Sequence, residues 1–160
     1  MKCIHPLLAG FVAAIGLAAA AHGADEVNVS SGGTAAGPGL AAHGYDVVAF
    51  FTAAQPTLGS ARFSTTHGGA TYRFASGEHL EAFEKSPEKY APAYGGYCAY
   101  GVSVGKKFDG DPRFWRIEDG RLYFNLNADI QSTWLEDVDG NIESADQKWR
   151  KISSREVAAL

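Results

Sequence analysis

The chain has 160 residues, with 14 Lys and Arg against 18 Asp and Glu and a formal net charge of −4. With no basic run and no aromatics interleaved among clustered Lys or Arg, it carries no electrostatic footprint for nucleic acid. Two cysteines are too few for a disulfide-framed fold, while 46% hydrophobic and 12% aromatic residues suffice for one core without such staples.

The first residues read as an export signal. Lys2 is the only early charge, and Leu7 to Ala21 is uncharged and rich in Ala, Leu, Val and Ile. That stretch is shorter than the ~20 apolar residues a spanning helix needs. Small residues follow it, so cleavage is expected between Ala21 and Asp25, after Ala21 or Gly23. The competing reading is an uncleaved anchor. No cysteine follows the apolar stretch, which argues against a lipoprotein. The segmentation is a signal peptide at 1–23, a flexible linker at 24–39, a domain at 40–152 and a C-terminal tail at 153–160. A periplasmic or secreted protein follows, with no membrane contact after cleavage. Loss of Lys2 leaves 13 basic against 18 acidic residues.

Residues 24–39 include Ser30-Ser31-Gly32-Gly33 and Gly37-Pro38-Gly39, turn formers with little to bury. Val47 to Phe51 is a short apolar run that reads as a strand. Arg62–Thr66 and Ala70–Phe74 alternate about His67-Gly68-Gly69, which reads as a hairpin with Phe63, Tyr72 and Phe74 inward. Ser76 can cap a helix through Glu84, with Leu80 and Phe83 on its core side. Ser86-Pro87 opens a further turn of helix.

Cys98 to Val104 alternates weakly and reads as a strand. Phe114–Ile117 and Leu122–Phe124 flank Asp119-Gly120, a strong hairpin signal. Asn127 can cap a helix carrying Ile130 and Trp134. Asn141 can cap another carrying Ile142, Ala145 and Trp149, with Asp137 to Asn141 as the connection before it. The expected fold is a compact α+β domain of short antiparallel strands with about four helices, its three tryptophans in one core. No internal repeat is legible.

These blocks resemble the exported YHS-domain proteins. Gly44-Tyr45-Asp46-Val47-Val48-Ala49-Phe50-Phe51 is similar to that family's opening Gly-Tyr-Asp-Pro-Val-Ala-Tyr-Phe, with Val47 in place of proline. Tyr72-Arg73-Phe74-Ala75-Ser76 and Phe83 to Tyr90 resemble its Tyr-x-Phe-x-Ser and Phe-x-x-x-Pro-x-Lys-Tyr signatures. Gly95-Gly96-Tyr97-Cys98-Ala99-Tyr100 and Asp119 to Asn125 match its second half, so the resemblance spans about residues 42–150. Shorter modules of this kind occur in copper-transporting ATPases and carry metal-binding cysteines. Here the matching positions are Ala75 and His79, so the soft thiolate pair is absent. Some members of the exported branch carry selenocysteine where Cys98 stands, which implies sulfur chemistry at that position.

Cys98 is the one cysteine outside the apolar leader, since Cys3 lies within it. It is either a buried small hydrophobe or a reactive thiol. Reactivity needs a lowered thiol pKa, for which His43, His67 and Arg73 are the available helpers. No Cys-x-x-Cys exists, so an internal dithiol cycle is excluded and any redox cycle passes through sulfenic acid or a mixed disulfide. The leading expectation is thiol-based or metal-linked redox chemistry with Cys98 and His43 as the catalytic pair, serving a redox or metal-handling partner. The second is a copper or other soft-metal module built from Cys98, His43 and His67. The third is a structural or partner-binding domain with an inert cysteine. His79 is the weakest of the histidines, and Asp46 with Tyr45 reads as structural, with Asp46 either fixing a neighbouring Arg or His or capping the following turn. Asp109-Gly110-Asp111 lacks the later ligands of a calcium loop and reads as a turn.

Overall fold

The computed structural model describes residues 26–30 and 39–160. The apolar leader, the expected cleavage point and residues 31–38 lie outside these residues. Among the described residues the order is β1 (Val29–Ser30), β2 (Leu40–Ala41), α1 (Ala49–Thr52), β3 (Ser60–His67), β4 (Ala70–Phe74), α2 (Gly77–Lys85) and α3 (Pro87–Tyr90). There follow α4 (Ala99–Ser103), β5 (Asp111–Glu118), β6 (Arg121–Asn125), α5 (Ala128–Leu135) and α6 (Val138–Ile152). Four strands form one sheet in the order β1-β2-β4-β3, and β5 and β6 form a second. The fold is α+β, as its patterning implies. No helix of the described residues is long and apolar enough to cross a membrane.

Both predicted hairpins form. Asp119 (φ 48°) and Gly120 (φ 73°) give positive φ at both central positions, the type I′ requirement. Gly68 and Gly69 do the same at the other turn, with φ 56° and 78°. Three helix starts also form as the side-chain chemistry dictates, two of them with side-chain caps. Ser76 Oγ accepts from the N–H of His79, Asn127 Oδ1 accepts from that of Ile130, and Pro87 opens α3.

Two apolar runs are helices rather than strands. Val47–Phe51 is too short for periodicity to decide between the two. Here Asp46 Oδ1 accepts from the N–H groups of Val48 (2.9 Å) and Ala49 (3.2 Å) and starts α1. Cys98–Val104 holds α4, which Cys98 caps by accepting from the Gly101 N–H at 3.4 Å. Cysteine is not among the usual capping residues, so the sequence carries no signal for this start. These two helices raise the total from the expected four to six among the described residues. The cap of α6 is Asp137, not Asn141; its carboxylate accepts from the Gly140 N–H at 3.0 Å. A Cβ on Gly140 would lie 2.2 Å from Asp137 Oδ2, so glycine here serves the cap rather than a connection.

The tryptophans divide between two clusters. Val47, Val48, Phe50, Tyr72, Phe74, Phe83, Leu122 and Phe124 build the first, with Trp115 against it. Tyr94, Tyr97, Val102, Tyr123, Trp134, Ala145 and Ile152 build the second, with Trp149 against it. Strand β6 joins them, because alternate side chains leave opposite faces: Leu122 and Phe124 enter one cluster and Tyr123 the other.

The segment read as linker begins inside the fold. β1 pairs antiparallel with β2, and the Asn28 N–H donates to Gly95 O at 2.9 Å. The tail is also held, since Lys107 Nζ donates to the carbonyls of Ser153 and Arg155 at 2.7 Å each.

Candidate functional site

Two left-handed turns lie beside a surface cleft. Ala42, His43 and Gly44 have φ of 47°, 51° and 79°; Tyr94, Gly95 and Gly96 have 54°, 61° and 85°. Ala42, His43 and Tyr94 carry a side chain in a backbone region that disfavours one, and such strain gathers at functional sites. Asn28 staples the turns together. Its Nδ2 donates to Gly96 O (3.3 Å) and to Asp109 Oδ1 (2.7 Å), and the same carboxylate oxygen meets His43 Nε2 at 2.8 Å. Asn28, His43 and Asp109, with Tyr97 and Lys107, line a cleft of about 560 Å³. Asn28 and Lys107 are buried, while Asp109 and His43 reach solvent at 53% and 30% exposure.

Lys107 is fixed by more than its two carbonyl bonds. Its ammonium lies 5.2 Å from the Tyr97 ring and 5.5 Å from the Trp149 ring. The cleft thus presents a carboxylate, an imidazole and an amide on one wall and a clamped cation on another. Such a mixture orients a small polar ligand by hydrogen bonding.

Cys98 is 0% exposed. Its Sγ accepts from the Gly101 N–H and donates to Asn125 Oδ1 at 3.7 Å. Burial pushes the thiol up from its ordinary value, and the Asp109 charge adds to this; the N–H groups of Gly101, Leu126 and Tyr100 oppose it without prevailing. The Asn125 Nδ2, also buried, has no hydrogen-bond partner in the structure.

Of the three proposed helpers, the two histidines are engaged elsewhere, and the Nε of Arg73 is buried without a hydrogen-bond partner. His43 is bonded to Asp109, and His67 stands edge-on to the rings of Tyr72 (6.2 Å) and Phe83 (5.7 Å). Among the described residues, no hydrogen bond joins a histidine to Cys98 Sγ, and no group of three or more His, Cys, Asp or Glu is placed to hold a metal ion. Nor do the glycines before Cys98 open a path to it. A Cβ on Gly95 would fall 1.7 Å from Glu26 O, so that glycine admits the N-terminal segment.

His79 is better placed than its helix position suggests. Its Nδ1 meets Asp46 Oδ2 at 2.6 Å, and its Nε2 lies 3.3 Å from Thr52 Oγ1. Asp46 is 0% exposed and accepts also from the N–H groups of Val48, Ala49 and Ala75. Spacing gives no hint of this pair, because 33 residues separate its members. Asn28, Lys107 and Asp109 were equally silent, since their roles arise only where three distant segments meet.

Comparison with protein-family models, with curated proteins and with solved structures finds no match.

Proposed function

We propose that this chain is an exported binding domain of the YHS kind, without catalysis at its cysteine, and that the cleft between His43 and Asp109 takes a small polar ligand. The observation that carries this reading is the sealed sulfur of Cys98. A reactive thiol needs access and a depressed pKa. Cys98 is fully buried and burial raises its pKa, while His43 spends its Nε2 on Asp109. The cleft supports the binding role, because strained backbone and buried polar side chains are held there at a cost to stability. Asp109 and His43 are two of its solvent-reaching polar groups. A ligand bearing hydrogen-bond donors, such as an amine or a polyol, suits that wall.

Alkylation with iodoacetamide followed by intact-mass measurement tests the reading. The native protein is expected to stay unmodified from pH 6.5 to 8.5 and to gain one adduct at Cys98 when unfolded. Rapid native labelling that persists near pH 6.5 would return the function to thiol chemistry.

A further inference from the structure

Two stretches of this chain make the same backbone contacts in the same order. In the first hairpin Ser60 pairs with Phe74, the register shifts, and Ser64, Thr65, Thr66 and His67 pair with Arg73, Tyr72, Thr71 and Ala70. In the second, Asp111 pairs with Asn125, the register shifts, and Trp115, Arg116, Ile117 and Glu118 pair with Phe124, Tyr123, Leu122 and Arg121. Each pair of the first, moved 51 places along the chain, is a pair of the second, the bulge included. At both bulges an N–H two residues on turns back to a side-chain oxygen, Arg62 to Ser60 Oγ and Arg113 to Asp111 Oδ1.

The agreement extends beyond the hairpins. Upstream of each lies a left-handed triplet, 42–44 and 94–96, followed by a tyrosine in extended conformation. The Asp46 N–H then donates to Thr57 O at 2.8 Å, and the Cys98 N–H to Phe108 O at 2.9 Å. Downstream, Ser76 and Asn127 cap α2 and α5 through the N–H three residues on. Phe83 of α2 packs on Tyr72, with ring centroids 4.7 Å apart; Trp134 of α5 packs on Tyr123 at 5.6 Å. Hairpin-and-helix units are common, but a shared bulge, shared turns and shared bonds to the preceding segment are much harder to reach by chance.

We propose that the chain is a tandem duplication of one module, residues 42–90 and 94–141, and that Cys98 of the second occupies the place of the Asp46 carboxylate in the first. Asp46 gathers the N–H groups of Val48, Ala49 and Ala75. Their counterparts are those of Tyr100, Gly101 and Leu126: the Gly101 N–H donates to the Cys98 sulfur at 3.4 Å and the Tyr100 N–H to Asn125 Oδ1 at 3.3 Å, while all three oppose the rise in the thiol pKa. Cys98 is therefore a positioning residue. It holds the start of α4 against Phe108, and its neighbours Tyr97, Lys107 and Asp109 form the cleft wall; this last step rests on the cleft being the binding site. The duplication also provides an internal control for the Asp46–His79 contact. Ile130 stands where His79 would recur, and the second module folds without such a pair.

Cys98→Ala and Cys98→Asp, compared by thermal melts over pH, test the equivalence. Cys98→Ala should lower Tm by about 5 °C or more. Cys98→Asp should recover at least half of that loss at pH 7, because a carboxylate there meets the Gly101 N–H that the sulfur now holds and lies beside those of Tyr100 and Leu126. A carboxylate so bonded has a depressed folded pKa, so its contribution is present above about pH 4 and fades as pH falls through the folded value. The wild type to Cys98→Ala difference should not change over that acid range. If Cys98→Asp melts no higher than Cys98→Ala, or does not fold, the nest is not equivalent and the proposal fails at Cys98. The converse exchange is independent: Asp46→Cys with His79→Ile should melt above Asp46→Ala with His79→Ile, and equal melting temperatures would overturn the duplication's site assignment. Neither melt involves a cleft ligand, so these outcomes leave the binding reading to its own test.

Discussion

Trp134 is the largest of the side chains sealed from solvent, and it lies on Tyr123 in the second cluster. Replacing it with alanine removes its transfer energy and leaves a void that a packed interior fills poorly. Trp134→Ala is expected to cost about 3–5 kcal/mol in denaturant melts; a loss below about 1 kcal/mol would place the ring outside the core. Tyr72 makes the matching statement about pH. Burial raises its phenol from 10.0 to about 12. Below pH 10 the phenol is neutral in both states and its contribution is complete. Above that value the unfolded chain ionises first, so stability falls as pH rises toward 12, by about 3 kcal/mol for this residue. Melts at pH 9 and 11, with and without Tyr72→Phe, check it: the variant should lose less stability over that interval.

At the level of elements, turn geometry decides more than propensity. Gly120 sits at φ 73° with nothing within 4 Å of where a Cβ would be. Space is available there, so the conformation alone sets the penalty. Gly120→Ala should destabilise by about 1–2 kcal/mol, the cost of the left-handed region for an L-residue, whereas Asp119→Asn should be close to neutral, as asparagine tolerates that conformation. Chemical denaturation of the two variants separates these outcomes. The short helices α1 and α4 follow a related logic. Neither is long enough to be stable alone, and each starts where one side chain gathers the N–H groups that a helix leaves unpaired.

For the whole molecule, the informative contact is the docking of residues 26–30. Asn28 bonds to Gly95, Gly96 and Asp109 while Val29 and Ser30 pair with Ala41 and Leu40, so one short segment closes the cleft wall and links the two halves of the chain. Gly95→Ala puts a methyl group into Glu26 O. It should release the segment, and hydrogen exchange at the Asn28 amide should rise to that of an unfolded peptide while the amides of β4 and β6 stay protected. Unchanged protection at Asn28 would show that the segment's contacts do not depend on this approach. Strand β6, buried on both faces, is where the two clusters become one cooperative unit.

Features that depend on near neighbours were legible from the residues alone. Both hairpins, the caps at Ser76 and Asn127 and the apolar face of α6 follow from residues within a few positions of one another. The other contacts join residues that spacing cannot relate, so they became visible only in the folded chain. Whether Val47–Phe51 and Cys98–Val104 coil or extend depended on donors and acceptors gathered around Asp46 and Cys98. His79 found Asp46 across 33 residues, and Asn28 found Asp109 across 81. The repeat stayed hidden in the sequence because backbone hydrogen bonds set each module's shape, and these constrain side chains at few positions. Gly59 and Gly110 are two such positions: a Cβ there would lie 2.4 Å and 2.2 Å from backbone atoms of Arg73 and Gly96.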